Sequence, residues 1–275
     1  MVLPVHDVNP THRTPWVTRL LIAANLVVFL LSPMAVAPLL GSGNLASLCD
    51  QAAFLDEFAV KPAEVIGNDA SDEVATGRTA RSEAGEAGCQ TQSPPPYDKS
   101  PVLSVLFAMF LHGGWLHLLG NLLFLFVFGN NVEDRLGRLR YLAFYLACGY
   151  AATYGFALFF AGSDSPLVGA SGAIAGVLGA YLVLFPRARV WSLLTFLFFL
   201  PVRLPAWMVL GSWFVLQYLY TRGAVLTEAT GTAYLAHVIV FVVGALLVWR
   251  LRGTGHPRPA PDPRWGPYAH RPTGR

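Results

Sequence analysis

The sequence predicts an all-α membrane protein, a bundle of six transmembrane helices with both termini in the cytoplasm. Hydrophobic residues make up 54% of the 275 residues and charged residues only 13%, about half the charged fraction of a soluble domain. The mean hydropathy is +0.49. Because so few charges cannot cover a water-facing surface, most of the chain is expected to face lipid. Long apolar runs and the placement of arginines supply the remaining support.

Six uncharged apolar runs are long enough to cross the hydrocarbon core, which takes about 20 helical residues. They cover 20–40, 102–128, 141–162, 165–186, 204–221 and 229–249. Residues 35–37 resemble a signal-peptidase site, but Pro38 directly after them disfavours cleavage, so the first run is expected to remain as a span. A further apolar run at 190–202 is too short to span and is expected to be an interfacial or re-entrant segment.

The positions of the arginines set the predicted orientation, because short cytoplasmic loops of membrane proteins accumulate Lys and Arg. Six spans with both termini inside place fourteen arginines on the cytoplasmic side and leave only Arg222 in a short outer loop. The fourteen are Arg13, Arg19, Arg135, Arg138, Arg140, Arg187, Arg189, Arg203, Arg250, Arg252, Arg258, Arg264, Arg271 and Arg275.

Residues 41–100, here called the acidic segment, lie outside the cytoplasm in this topology. The segment has ten acidic and four basic residues, a net charge of −6, whereas the whole chain carries +3. Because it is rich in Ser, Gly and Ala and shows little hydrophobic periodicity, it is expected to be a long flexible loop. Charge divided in this way suggests no nucleic-acid partner.

The domain organisation follows from these boundaries. Residues 1–15 are expected to be a cytoplasmic N-terminal segment, and residues 16–252 the six-helix membrane domain that contains the acidic segment. Residues 253–275 hold six prolines and several arginines, which predicts a disordered cytoplasmic tail.

Two of the three cysteines, Cys49 and Cys89, fall in the acidic segment. In an oxidising compartment they are expected either to form a disulfide that closes the loop or to remain two free thiols. Cys148 lies inside the third run, where a small buried hydrophobe is the ordinary interpretation.

Polar side chains inside the predicted spans carry the functional information, because each is costly in lipid and usually faces the interior of the bundle. No Asp, Glu, Lys or Arg lies well inside a span after the first, which argues against proton-coupled pumps and ion exchangers. The sequence also lacks the His-Glu-x-x-His helix of a zinc protease. The remaining candidates are His112, His117, Asn121, Ser171 and His237.

Four of these candidates are predicted to share one layer of the membrane. Counted at 1.5 Å per helical residue from the first cytoplasmic charge, Ser171, His237, His117 and Asn121 lie roughly 18–24 Å above the inner boundary. His112 comes out about 31 Å above it, near the outer surface. No metal site is expected, because His112 and His117 fall on different faces of a helix.

A serine beside a histidine is a nucleophile with its general base. His117 and Asn121 share one helical face, and with the backbone N–H of Gly172 they are candidate donors to a developing oxyanion. Because no carboxylate lies at this depth, a Ser–His dyad is expected. Helix packing through neighbouring glycines is the ordinary interpretation of Ser171 alone, but agreement of four residues in depth favours catalysis.

Three blocks of sequence carry a more specific signal. They are Phe110-Leu-His112-Gly-Gly-Trp115-Leu-His117-Leu-Leu-Gly-Asn121, Gly129-Asn-Asn131-Val-Glu133-Asp134-Arg135-Leu-Gly137 and Gly169-Ala170-Ser171-Gly172-Ala173-Ile174. With His237 in the sixth run, they resemble the rhomboid family of intramembrane serine proteases, over residues 102–244.

The resemblance implies a six-helix bundle that cleaves the transmembrane segments of other proteins from a water-filled cavity opening outward. It implies that Ser171 is the nucleophile and His237 its base. His117 and Asn121 would then stabilise the oxyanion, and His112 would lie near the mouth of the cavity.

The sequence departs from the family pattern after the histidine. Ile239 and Val240 stand where a glycine pair is usual, whereas Gly244 is retained. Because Val240 and Gly244 lie on the helical face of His237, the valine is expected to hold the helices of Ser171 and His237 apart.

The predicted function is hydrolysis of peptide bonds in or near transmembrane segments of membrane-protein substrates, with water and no cofactor. The alternative is a rhomboid-like protein that binds transmembrane clients without cutting them. Members of that class typically lose the Ser or the His, and this chain keeps both. The strong preference for Arg over Lys, which occurs only at Lys61 and Lys99, suggests a GC-rich bacterial genome and hence the plasma membrane. The oligomeric state is left open.

Overall fold

The computed structural model describes residues 2–36, 44–81, 85–227 and 234–251, and the predicted tail at 253–275 lies outside them. The described helices are α1 (Trp16–Leu31), α2 (Pro33–Val36), α3 (Leu45–Phe58), α4 (Pro62–Gly67), α5 (Pro101–Ala108), α6 (Trp115–Phe124), α7 (Asn130–Leu136), α8 (Arg138–Phe159), α9 (Ser171–Leu184), α10 (Ala206–Thr227) and α11 (Tyr234–Leu251). The described strands are β1 (Val2–Asp7), β2 (Val74–Arg81), β3 (Ala87–Gln92), β4 (Arg189–Leu194) and β5 (Leu200–Pro205). The fold is therefore mostly helical rather than all-α.

Among the described residues, two continuous helical stretches are long and apolar enough to cross a membrane by length and composition. They are Trp115–Leu136, in which a π turn at Leu125–Gly129 joins α6 to α7, and Arg138–Phe159. Shorter apolar helices occupy Trp16–Leu31, Ser171–Leu184 and Tyr234–Arg250. The six-span count and the side on which the termini lie stay predictions.

The second apolar run is not one helix, contrary to the sequence prediction. It breaks between α5 and α6, where the N–H groups of Phe110 and Leu111 bond to carbonyls only three residues back. Such tight turns end a helix, and Gly113 and Gly114 then carry the chain to the start of α6. His112 consequently lies in a loop and not within a span.

The short run at 190–202 was expected to be an interfacial or re-entrant segment, and the structure gives it a β-hairpin, while an interfacial location stays a prediction. It forms the antiparallel hairpin β4–β5, and β1 pairs with β4 to give a three-stranded sheet in the order β1-β4-β5. The residues at 196–200 form an exposed apolar tip, with Phe198 99% exposed. The N-terminal segment is thus joined to the middle of the chain.

The expectation of a flexible loop at 41–100 is wrong for the described part of the acidic segment. The segment contains α3, α4 and the antiparallel pair β2–β3, and a disulfide joins Cys49 of α3 to Cys89 of β3. Of the two alternatives for these cysteines, the structure has the disulfide. Cross-links and hydrogen bonds between residues distant in sequence order this segment, and hydrophobic periodicity does not reveal them.

Buried charges add to the order of the acidic segment. Lys99 forms an ion pair with Glu64 and Lys61 one with Asp56, each with an N···O distance of 2.8 Å. Burial lowers the pKa of Lys99, and the hydrogen bond that its ammonium donates to Glu64 opposes that shift. Burial, and next the carboxylate of Asp56, raises the pKa of Tyr97 to about 12.

Helix α9 lies at the centre of the described helices, because all its residues from 173 to 181 are buried. It packs on α11 through glycines: a Cβ at Gly244 would overlap the backbone of Gly176, and a Cβ at Gly179 would overlap the backbone of α11. Close approach through small residues is typical of membrane helices.

The bulk of Val240 does not hold α9 and α11 apart, so that expectation is wrong. Val240 is fully buried and lies opposite Gly176, where a Cβ would come within 3.2 Å of the valine. Ile239 lies opposite Gly155 of α8. Each branched side chain therefore faces a glycine on the neighbouring helix, which supplies the space that it needs.

Helix α7 anchors the start of α1 through a buried carboxylate. Glu133 accepts hydrogen bonds from the N–H of Val17 at 3.0 Å and from the N–H and hydroxyl of Thr18 at 2.8 Å. A carboxylate at a helix N-terminus is favoured because the first N–H groups have no partner within the helix.

Candidate active site

Ser171 is the first residue of α9, at the end of a non-helical connection from α8. Two backbone hydrogen bonds hold this connection: the N–H of Leu167 donates to Val60 and the N–H of Gly169 donates to Ala108, both at 2.8 Å. Gly169 has a φ of +120°, which favours glycine. The position of Ser171 is thus set jointly by α5 and the acidic segment.

Among the described residues, His237 is the hydrogen-bond partner of the Ser171 hydroxyl. Its Nε2 lies 2.8 Å from the Ser171 Oγ, within the range expected for a nucleophile and its general base. The histidine is 9% exposed. Helices α9 and α11 bring the two residues together through the glycine contacts described above.

Gln217 of α10 is the residue that the sequence prediction missed. Its Oε1 lies 2.9 Å from the Nδ1 of His237. The sequence does hold one sign of this residue, since an amide within the fifth apolar run is costly in lipid and usually faces the interior of the bundle. Because its amide is neutral, Gln217 was not among the carboxylates considered as a third member of the site.

His117, in the first turn of α6, faces the same small volume as Ser171. A Cβ at Gly169 would lie 2.8 Å from the Nε2 of His117 and 3.5 Å from the Oγ of Ser171. The N–H of Gly113 points to the Nδ1 of His117 at 3.4 Å. In a neutral imidazole that accepts at Nδ1, Nε2 carries the hydrogen and is available as a donor.

Asn121 lies one helical turn after His117, on the same face of α6. It is 7% exposed, and its Nδ2 is buried without a hydrogen-bond partner among the described residues. An amide donor left unpaired in a buried site is costly unless a ligand or water completes it.

His112, expected near the mouth of a cavity, is buried in the loop before α6 with 2% exposure. Its Nδ1 lies 3.3 Å from the carbonyl oxygen of Phe110, and its ring centroid is 5.1 Å from that of His117. Among the described residues no group of three or more His, Cys, Asp or Glu side chains is placed to hold a metal ion.

Gly172 places a backbone N–H in the first turn of α9, where helical N–H groups have no acceptor within the helix. A Cβ at this position would overlap Ala152 of α8. The glycine therefore allows α8 to approach the start of α9 directly beside Ser171.

A cavity of about 40 Å³ adjoins the two central side chains. Its walls include Ser171, His237, Gly169, Met109, Ala152 and Val60. This is enough space for water. The arrangement therefore combines a serine next to a basic nitrogen, nearby N–H donors and room for a water molecule.

Comparisons with known proteins show similarity to rhomboid proteins. A family model for the Rhomboid domain matches residues 99–254. RHOMBOID-like protein 6, mitochondrial, of Arabidopsis thaliana is 35% identical over 106 residues, which cover 36% of this chain and 34% of that protein. Rhomboid protein 1, mitochondrial, of Saccharomyces cerevisiae is 28% identical over 152 residues, which cover 54% of this chain and 41% of that protein.

A third relative is the Presenilin-associated rhomboid-like protein A, mitochondrial, of Danio rerio, 32% identical over 96 residues, which cover 34% of this chain and 25% of that protein. The chain spans less than half the length of each of these three relatives. No solved structure matches it.

Proposed function

Because the chain belongs to the rhomboid family, whose model matches more than half of it, we propose that it is an intramembrane serine endopeptidase. Its substrates would be membrane proteins with a helix-weakening segment near the outer leaflet, cut in or near that segment. The observation that carries the proposal is the 2.8 Å separation between the Nε2 of His237 and the Oγ of Ser171.

In the proposed reaction Ser171 Oγ attacks the carbonyl carbon of the scissile bond while its proton passes to Nε2 of His237. The histidine returns this proton to the leaving amine, and an acyl-enzyme remains. A water then attacks the acyl carbon and gives its proton to His237, the ester bond to Ser171 Oγ breaks, and His237 returns that proton to Oγ, which regenerates the serine and releases the acid product. Oxygen and hydrogen come from water alone, so no cofactor takes part.

The oxyanion formed by each attack needs donors placed in advance. His117 Nε2 is proposed as one donor because its Nδ1 is occupied by the N–H of Gly113. The unpaired amide of Asn121 and the backbone N–H of Gly172 are proposed as the others. His112, packed against His117, would support that ring from the loop.

The proposal includes the topology derived from the sequence: six spans, both termini in the cytoplasm and the acidic segment outside. A membrane location follows from the family, so the lipid bilayer is one of the partners that the protein contacts. The strong preference for Arg over Lys favours a bacterial plasma membrane. The mitochondrial names of the three relatives offer a mitochondrial membrane as the other location.

A second candidate function is binding of transmembrane clients without cleavage. The names of two relatives, which describe them as rhomboid-like, favour considering it. The two candidates differ in one property: only a protease needs an activated serine.

The experiment that tests the proposed function is labelling of the purified full chain in detergent with a fluorescent fluorophosphonate. We expect labelling of the wild type and its loss in both Ser171→Ala and His237→Ala. Ser212→Ala on α10 is the matched control, because this serine bonds only within its own helix in the described contacts. Folded wild type that stays unlabelled would overturn the protease proposal and favour client binding.

A further inference from the structure

We propose that Gln217 is a positioning residue for His237, so that the site works as a Ser171–His237–Gln217 chain rather than a Ser–His pair. This rests on the proposed function, because positioning of a base matters only where the base acts. The chain of contacts runs across three helices: α9 supplies the hydroxyl, α11 the imidazole and α10 the amide.

The contact with Gln217 indicates the tautomer of His237. A neutral imidazole has one N–H donor and one acceptor nitrogen. Oε1 of Gln217 accepts only, so the Nδ1 that lies 2.9 Å from it carries the hydrogen. Nε2 then presents its lone pair to the Ser171 hydroxyl at 2.8 Å, which is the arrangement that a general base requires.

The same contact also serves the protonated state. When His237 takes the proton of Ser171, the positive charge is shared with the Nδ1–H that points to Oε1 of Gln217. Hydrogen bonds to a charged group are about twice as strong as neutral ones. The amide therefore favours the intermediate over the resting state, while its neutrality avoids the cost of a buried carboxylate in lipid.

Helix α10 presents a second side chain to the ring beside the amide. Trp213, one turn before Gln217 on the same face, has its ring centroid 6.1 Å from that of His237 and 5.9 Å from that of Phe241. The imidazole thus contacts two side chains of one helical face. Rotation of the ring would lose both the Gln217 bond and this aromatic contact.

Simple satisfaction of a buried N–H is the competing explanation for the contact, and it predicts a different result on mutation. Under that explanation an acceptor at 217 stabilises the fold but leaves the reaction of Ser171 unchanged. A positioning role instead changes the rate of serine modification and its dependence on pH. Among the described residues, the titratable side chains that face His237 are His117 of α6 and Tyr234 of its own helix.

The test compares the full-length wild type with Gln217→Met, which keeps the length of the side chain but offers only a weak acceptor, and with Gln217→Glu, which restores a strong one. The readout is the rate of fluorophosphonate labelling across pH, with thermal melting as a check on folding. We expect Gln217→Met to label about 10- to 100-fold more slowly, the range for loss of one hydrogen bond to a charged group. We expect Gln217→Glu to label faster than Gln217→Met.

The pH profile provides the decisive second reading. A carboxylate beside the imidazole stabilises its protonated form, so the acid limb of the Gln217→Glu profile should move to higher pH. Tyr218→Phe is the matched control, because Tyr218 is the next residue of α10 and is 48% exposed. Its rate and profile should equal those of the wild type.

Each outcome has a distinct meaning. Folded Gln217→Met that labels at the wild-type rate would overturn the role of Gln217 and leave the proposed function standing. Absence of labelling in folded wild type would overturn the proposed function and this inference with it. Should Gln217→Met not fold, Gln217→Glu decides: an unchanged acid limb would contradict the positioning role.

Discussion

The central helices and the acidic segment are held together by different forces. Helices α9 and α11 meet through glycines, with Gly244 against the backbone of Gly176. The acidic segment instead relies on the disulfide Cys49–Cys89 and on buried ion pairs such as Lys99–Glu64. Both regions contribute to the site: α9 and α11 carry the two central side chains, and Val60 of the acidic segment bonds to the connection before Ser171.

The difference follows from the solvent that each region is proposed to face. In lipid the hydrophobic effect does not drive helices together, so close van der Waals contact must do so, and small residues allow it. In water a segment of low hydrophobicity cannot bury enough apolar surface to offset the entropy of ordering, so it needs cross-links and paired charges. Mutations in the two regions should therefore fail in different ways.

The largest expected effect comes from filling the contact between α9 and α11. Gly244→Leu would drive a side chain into the backbone of Gly176, at a cost beyond the ~1–3 kcal/mol of ordinary overpacking. Because α11 carries His237, we expect loss of fluorophosphonate labelling together with a large drop in melting temperature.

Gly211→Leu on α10 is the control for that change, since a Cβ at Gly211 meets no atom within 4 Å. Labelling of this variant should match the wild type. Wild-type melting and labelling in Gly244→Leu would show that the glycine contact does not hold the site.

An intermediate effect is expected from removal of the disulfide. Cys89→Ser should destabilise the acidic segment by about 2–4 kcal/mol, the usual range for a native cross-link, while α6 to α11 stay folded. Limited proteolysis should cut the segment faster in Cys89→Ser than in the wild type. Reductant should accelerate cleavage of the wild type but not of the Cys49→Ser/Cys89→Ser double variant, and equal cleavage of all three proteins would contradict the prediction.

The smallest effect is expected from Tyr97 at alkaline pH. Its pKa is raised to about 12, chiefly by burial, from 10.0, so between these values the folded state binds more protons than the unfolded state. Stability from this group is complete below the unfolded pKa and is lost as pH rises through the folded one. Cleavage of the segment by an alkaline protease should therefore rise more steeply with pH in the wild type than in Tyr97→Phe.

The sequence predicted the family correctly, and the match over residues 99–254 confirms it. The common depth predicted for Ser171, His237, His117 and Asn121 stays a prediction, but the structure does bring Ser171 and His237 within 2.8 Å of each other. Mean apolarity alone did not locate the break at Phe110–Gly114, because Phe110 and Leu111 continue the apolar run through a loop. The glycine pair that follows them is the local signal for that break.

The other differences between the sequence predictions and the structure arise from contacts between residues that are distant in sequence. The acidic composition of 41–100 predicts disorder, but the partner of Cys49 is 40 residues away, and composition carries no information on such partners. Gln217 was overlooked for a similar reason, since an isolated amide gains its meaning only when His237 is brought beside it. Local patterns predict elements, whereas these contacts depend on the assembled fold.

The sheet formed by β1, β4 and β5 imposes an order on assembly. Val2 pairs with Leu194 and Asp7 with Val190, separations of 192 and 183 residues, so the partner of the first strand is made about 190 residues after it. At about 5–20 residues per second of synthesis, β1 waits roughly 10–40 s with its backbone groups unpaired. By then α1 to α9 have been synthesised. Pairing of β1 is therefore a late step, which takes place only after the central helix α9 has been made.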